Sequence, residues 1–166
     1  MAHGTGDRFV VGVTGHRELE GAEHEVASAL RAALEEYQRT HGGRLVVLSA
    51  IAAGADSLFA EAAISLGIPL NVVLPFEGYE EDFADGDERE RFETLLAAAE
   101  QRCTLPYEGR STEAYASVGR WIVDHSDHLV AVWDGMPARG LGGTGYVVAY
   151  ARERGHPMTV ITPLKT

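Results

Sequence analysis

The sequence predicts an α/β fold: a doubly wound, mainly parallel Rossmann-like sheet with helices on both faces. Three observations carry that reading. Strand-length apolar runs alternate with helix-length segments along the whole chain. The strand runs are continuously apolar, the pattern of strands buried on both faces. Right-handed crossovers then leave few other arrangements.

The elements follow in order. Phe9-Val10-Val11-Gly12-Val13-Thr14 reads as the first strand. Glu23 to about Gln38 places Val26, Ala29, Leu30, Ala33, Leu34 and Tyr37 on helical spacing. Leu45–Ser49 is a second strand, and Ser57–Leu66 a helix that Gly67 ends at a C′ position. Leu70–Leu74 is a third strand, closed by Pro75. The acid- and aromatic-rich stretch from Phe76 to Asp87 is irregular and reads as a lid or a solvated loop. A helix over about Glu88–Glu100 carries an apolar stripe of Phe92, Leu95, Leu96 and Ala99, which reads as core. Cys103–Leu105 is a short strand, Glu113 to about Asp124 a helix, and His128–Trp133 a strong strand. Gly143–Arg154 is the last helix and Met158–Ile161 the last strand. One domain over 1–166 is expected, with residues 1–7 flexible.

Composition narrows the function. The chain is 45% hydrophobic and 23% charged, ordinary for a soluble globular protein. No apolar run is long enough to span a membrane, and the N-terminal residues show no apolar signal region. With one cysteine, Cys103, there is no internal disulfide and no multi-cysteine metal site. A cytoplasmic location and no membrane partner are the expectation. The net charge of −11 argues against a nucleic-acid partner, which needs a basic face to release counterions. A small anion held by local arginines remains open. Lys165 is the only lysine.

In such sheets, ligands bind beyond the carboxyl ends of the strands. The segments that follow the strands are rich in candidates. Gly15-His16-Arg17 follows the first, and Ala50-Ile51-Ala52-Ala53-Gly54-Ala55-Asp56 the second. Pro75-Phe76-Glu77-Gly78-Tyr79 follows the third. Asp134-Gly135 and then Arg139-Gly140-Leu141-Gly142-Gly143-Thr144-Gly145 follow the strong strand, which ends in Trp133. Gly142, Gly143 and Gly145 lead straight into a helix, where free N–H groups and the helix dipole favour an anion. Arg17 is suited to a phosphate or carboxylate, or is a surface arginine beside Glu18. His16 either makes a structural hydrogen bond or takes part in catalysis. Asp56 either caps its helix or bonds a sugar hydroxyl or a neighbouring loop. Trp133 stacks on a base or is core, and Asp134 is a ligand or a turn former. The small residues at 50–55 either form a wall of the cleft or allow close packing, and glycine serves both.

Several familiar sites are absent. A P-loop needs a lysine after its glycines. The dinucleotide fingerprint fails, because Gly12-Val13-Thr14-Gly15 has the wrong glycine spacing and Ser49-Ala50 supplies no acid. The scattered histidines offer no metal site, and no cofactor is expected.

Three segments together resemble the SLOG superfamily of Rossmann-like nucleotide-ligand proteins. They are "VGVTGHR" at 11–17, "SAIAAGADSLFAEAA" at 49–63 and "VDHSDHLVAVWDGMPARGLGGTGYVVAYARERG" at 123–155. The superfamily includes the Lonely Guy phosphoribohydrolases and the DNA-processing protein A family. The resemblance implies a nucleotide or nucleotide-derived ligand, sensed or carried, at the glycine loop. It also implies that Arg120 stands where many members place a basic residue, and it allows a homo-oligomer. The alternative it offers is hydrolysis or transfer at a nucleotide N-glycosidic bond. The phosphoribohydrolase pattern, Pro-Gly-Gly-x-Gly-Thr-x-x-Glu, is broken here by Leu141, Tyr146 and Ala149. A catalytic carboxylate would have to be a substitute, from Asp134, Glu77 or Asp56.

Overall fold

A computed structural model describes residues 7–138 and 140–163. Residues 1–6, most of the segment expected to be flexible, lie outside the described residues, as does Arg139 of the glycine-rich loop. The strands are β1 (Phe9–Gly15), β2 (Leu45–Ser49), β3 (Leu70–Phe76), β4 (Gln101–Tyr107), β5 (His128–Val132) and β6 (Met158–Ile161). The helices are α1 (Glu23–His41), α2 (Ala55–Ser65), α3 (Asp87–Ala98), α4 (Thr112–Asp124) and α5 (Thr144–Glu153). All pairings are parallel, in the order β4-β3-β2-β1-β5-β6.

The predicted fold class is the observed one. Helices α1, α2 and α3 pack in a row on one face, and α4 packs on α5 on the other. Successive strand residues point to opposite faces. Val11 and Val13 of β1 and Val130 and Val132 of β5 join one core, with Leu30, Leu34 and Phe59. Leu48 and Leu129 join the second, with Ile122 and Val147. This two-sided burial explains the unbroken apolar runs.

The chain leaves β1 toward β2 and leaves β5 toward β6, in opposite directions along the sheet. The strands β1 and β5 are neighbours, with Gly15 paired to Val132. Their carboxyl ends therefore form the crevice in which such sheets bind ligands.

Four elements differ from the sequence expectation. Helix α2 starts at Ala55 after Gly54 as N-cap, so Asp56 sits inside the first turn and does not cap it. Strand β3 runs through Pro75 to Phe76, with a register shift between Leu74 and Phe76. Proline has no N–H for the ladder, which is why pairing skips it. Strand β4 is longer than expected but lies at the sheet edge, half exposed, so polar residues interrupt its apolar signal. The segment after Phe76 is not a free lid. Tyr79 and Phe83 are buried in an aromatic cluster with Phe76, Phe92 and Tyr115, and a 3₁₀ turn spans Tyr79–Asp82.

Gly54 is required by a close approach. Its φ is +83°, and a Cβ there would lie 2.3 Å from the Arg17 carbonyl oxygen and 2.5 Å from that of His16. The β2–α2 turn thus rests backbone to backbone on the β1–α1 turn. Gly54→Ala combines a strained dihedral with a clash against main chain. It should cost at least about 2 kcal/mol, a fall in Tm of about 4–8 °C for a chain of this size. Gly43→Ala, with open space around it, should stay within about 0.5 kcal/mol; thermal denaturation of the two variants checks both.

Candidate functional site

The carboxyl end of β1, the β2–α2 turn, Pro75 of β3 and the facing helices α4 and α5 line a cleft of ≈ 300 Å³. Of the residues singled out from the sequence, Gly15, His16, Arg17, Asp56, Pro75, Gly142, Gly143 and Thr144 line it. A second cavity of ≈ 480 Å³ adjoins it, and Trp133, Asp134 and Gly145 lie there. A third, of ≈ 470 Å³, is lined by Asp82, Arg110 and Tyr115 among others. Arg17 and Gly143 line all three.

Arg17 leaves the end of β1 as an exposed side chain. Its guanidinium lies 5.7 Å from the centroid of the Tyr115 ring. Among the described residues it has no ion-pair partner within 4.0 Å. The other cation at the rim, Arg110, is paired to Asp82 at 2.7 Å. Asp82 also accepts from the Tyr115 hydroxyl. Burial, and then that hydrogen bond, push the Tyr115 phenol up to about 12.

The glycine-rich loop supplies the complementary feature. Gly143 is the N-cap of α5 and offers no side-chain cap to the helix. The first N–H groups of α5 therefore have no capping partner from that residue. Nothing would meet a Cβ at Gly143, whose surroundings are open. Gly145 is different: a Cβ there would lie 2.8 Å from the Ala138 backbone nitrogen. It is glycine so that the loop can fold onto α5.

Asp56 is the buried carboxylate of the cleft, only 7% exposed. Burial pushes its carboxyl up to about 7, although a backbone hydrogen bond at Ala52 and the charge of Arg17 both hold it down. Its turn is fixed from within. Ser49 Oγ accepts from Ile51 N–H at 2.9 Å and donates to the Asp56 carbonyl at 3.2 Å. Ser57 Oγ donates to the Ala52 carbonyl at 2.7 Å. Ile51 has φ +47°, a left-handed conformation that costs a β-branched residue energy.

Other candidates have different roles. The Asp134 N–H donates to His16 Nε2 at 3.1 Å, and Asp134 Oδ1 accepts from Met136 N–H at 2.9 Å. Asp134 thus shapes the turn after β5 and orients His16. Glu77 is exposed and lines none of the three cavities. Ala53 and Gly54 do not line the cleft, and Phe76 is buried in the aromatic cluster. Arg120 does not join the cleft. Its guanidinium donates to Tyr146 Oη at 2.7 Å, to Glu113 Oε1 at 2.9 Å and to Ser117 Oγ at 2.9 Å. Tyr79, at the end of the segment after β3, lines the cleft, and so does Tyr115, which the sequence reading does not single out, since their meeting depends on the 3₁₀ turn docking against α4.

No family model matches the sequence, and no curated protein matches it significantly. Solved structures do match. DNA processing protein A from Streptococcus pneumoniae is 16% identical with a TM-score of 0.67, over 94% of this chain and 51% of that one. The Helicobacter pylori DNA processing protein A is 15% identical with a TM-score of 0.63, over 94% and 66%. The Moco carrier protein of Chlamydomonas rheinhardtii is 22% identical with a TM-score of 0.55, over 93% and 77%. The chain spans about half the length of the streptococcal protein (51%). The likeness is one of fold: the chain shares the Rossmann-like fold of these proteins.

One expectation is overturned. The net charge of −11 led to the exclusion of a nucleic-acid partner, yet the Helicobacter pylori protein of this fold is described by its single-stranded DNA binding mode. A net charge averages over the whole surface, whereas binding depends on the local field. Among the described residues, no helix is long and apolar enough to cross a membrane.

The raised carboxyl of Asp56 makes stability depend on pH. Its folded pKa of about 7 exceeds the ordinary 3.8, so between those values the folded state binds more protons than the unfolded one. Stability then falls as pH rises across that window and levels off above it. The full penalty is of order 4 kcal/mol. Asp56→Asn should leave Tm unchanged near pH 4 and raise it progressively up to pH 7, as scanning calorimetry across pH would record.

Proposed function

We propose that the cleft binds a nucleotide or nucleotide-derived ligand through its phosphate. The observation that carries this reading is the convergence on one space of Arg17, which has no ion-pair partner among the described residues, and the N-terminus of α5, which Gly143 does not cap with a side chain. Backbone N–H groups, a helix dipole and a guanidinium together favour a dianionic oxyanion over a neutral ligand. The open surroundings of Gly143 leave room for the phosphate to reach them.

A second reading, cleavage of the N-glycosidic bond of a bound nucleotide, has Asp56 in its favour. Such chemistry needs a carboxylate that exchanges protons near neutral pH, and Asp56 is raised to about 7 in the cleft. Ala149, where the phosphoribohydrolase pattern has its glutamate, is exposed and lines neither adjoining space.

A thermal-shift screen over AMP, GMP, CMP, ADP-ribose, NAD, cyclic nucleotides and a short single-stranded oligonucleotide tests both readings. The oligonucleotide belongs in the panel because of the DNA-binding protein of like fold. At a hundredfold excess over Kd, a ligand stabilises by about 2.7 kcal/mol, a rise in Tm of about 5–10 °C. Gly143→Asp should abolish that rise without lowering the Tm of the free protein, and Arg17→Ala should weaken binding about tenfold or more. An unchanged shift in Gly143→Asp would remove the phosphate reading. Chromatography of each mixture separates the two readings: free base released by the wild type but not by Asp56→Asn supports cleavage, and intact ligand supports binding alone.

A further inference from the structure

His16, Arg17, Gly143 and Thr144 line both the ≈ 300 Å³ cleft and the ≈ 480 Å³ cavity beside it. The cation and the start of α5 therefore stand on the border between two spaces, not at the closed end of one. An anion held there has room on either side of it.

The two sides differ in chemistry. On the cleft side lie the buried Asp56 carboxylate and the Tyr79 and Tyr115 rings. A carboxylate acceptor beside aromatic surface suits a sugar with hydroxyl donors. On the other side lie Trp133 and Met136. The Trp133 indole N–H donates to the Met136 carbonyl at 2.9 Å. The Arg152 guanidinium lies over the ring, 5.0 Å from its centroid. The ring is thereby fixed, and its one polar group is already used. What it can still offer a ligand is a flat face. Met136, 54% exposed beside it, adds a soft, adaptable apolar contact. An aromatic face next to a phosphate-binding cation is the arrangement on which nucleobases stack.

We infer that the ligand is two-headed. An internal phosphodiester or pyrophosphate lies at Arg17 and the α5 N-terminus, one nucleoside faces Asp56, and a second planar base lies on Trp133. This rests on the phosphate reading above and adds the second base site to it. A mononucleotide fills one side only.

Tryptophan fluorescence tests the inference, because the chain has two tryptophans and Trp121 lines neither space. The full chain is titrated with AMP, with NAD as a dinucleoside pyrophosphate, with adenylyl-adenosine as a dinucleoside phosphodiester, and with a single strand of about ten nucleotides. A bridged ligand should quench emission and bind about tenfold more tightly than AMP, the gain expected of one stacked base. Trp133→Phe should lose the quenching and keep most of that gain, since it preserves an aromatic face. Trp133→Ala should bring the bridged ligand down to the affinity of AMP and leave AMP unchanged.

Equal affinity for AMP and for every bridged ligand, with no quenching, would overturn the second site while the phosphate site stands. Absence of binding by all of them, with Arg17→Ala indistinguishable from the wild type, would overturn both. Tightest binding by the oligonucleotide, weakening steeply with salt, assigns the internal phosphate to a strand. Tightest binding by NAD or by adenylyl-adenosine assigns it to a free dinucleotide. Either result supports the two-headed site.

Discussion

The site depends on one main-chain contact. The Ala55 N–H donates to the His16 carbonyl at 3.1 Å, and Gly54 lies against the carbonyls of His16 and Arg17. The turns after β1 and β2 are thereby locked together by backbone alone. Only a residue without Cβ permits the approach. Because β1 and β2 are parallel neighbours, the two turns end at the same level of the sheet. Arg17 leaves one turn and Asp56 the other, and both enter the same cleft. The positive charge of Arg17 then offsets part of the cost of burying Asp56.

Around that contact, charge is distributed unevenly. The net −11 comes largely from exposed acids on the helices and on the stretch after Phe76. One of those acids, Asp82, is turned inward, where it holds Arg110 and the Tyr115 hydroxyl. That leaves Tyr115 as a fixed wall, and among the described residues no carboxylate lies within ion-pair distance of Arg17. At short range, Arg17 and the α5 N-terminus stand among local carboxylates, Asp56 in the cleft and Glu18, Glu20 and Asp134 in the adjoining cavity. A whole-chain sum does not describe this local mixture of charges.

The parts of the fold that could be read from the sequence were those governed by local patterning. Buried parallel strands are apolar on both faces, so β1, β2 and β5 stand out, and the loops that follow them name the edge on which ligands gather. Gly142-Gly143-Thr144 was legible for the same reason. What could not be read depends on contacts between distant segments. Asp56 looks like an N-cap until the positive φ of Gly54 moves the helix start to Ala55. Tyr79 and Tyr115 belong to segments far apart in the chain, and no period relates them. Arg120 sits one helical turn from Ser117 and near Tyr146 of α5, a partnership that spacing alone cannot distinguish from a ligand contact.

The glycines of the site divide by function, and the division says what can vary. Gly54 and Gly145 are demanded by backbone on backbone, so they fix the shape of the cleft whatever the ligand. Gly143 is demanded by nothing in the protein itself, since its surroundings are open. Under the proposed phosphate reading, it is the position that leaves room for the ligand at the start of α5. The frame is thus set by main chain, while the chemistry is set by a few side chains projecting from it: Arg17, Asp56, Tyr115 and Trp133. Those side chains can be exchanged without disturbing the contact that holds the turns together. That separation of frame from chemistry is consistent with one fold serving proteins as different as a DNA processing protein and a Moco carrier.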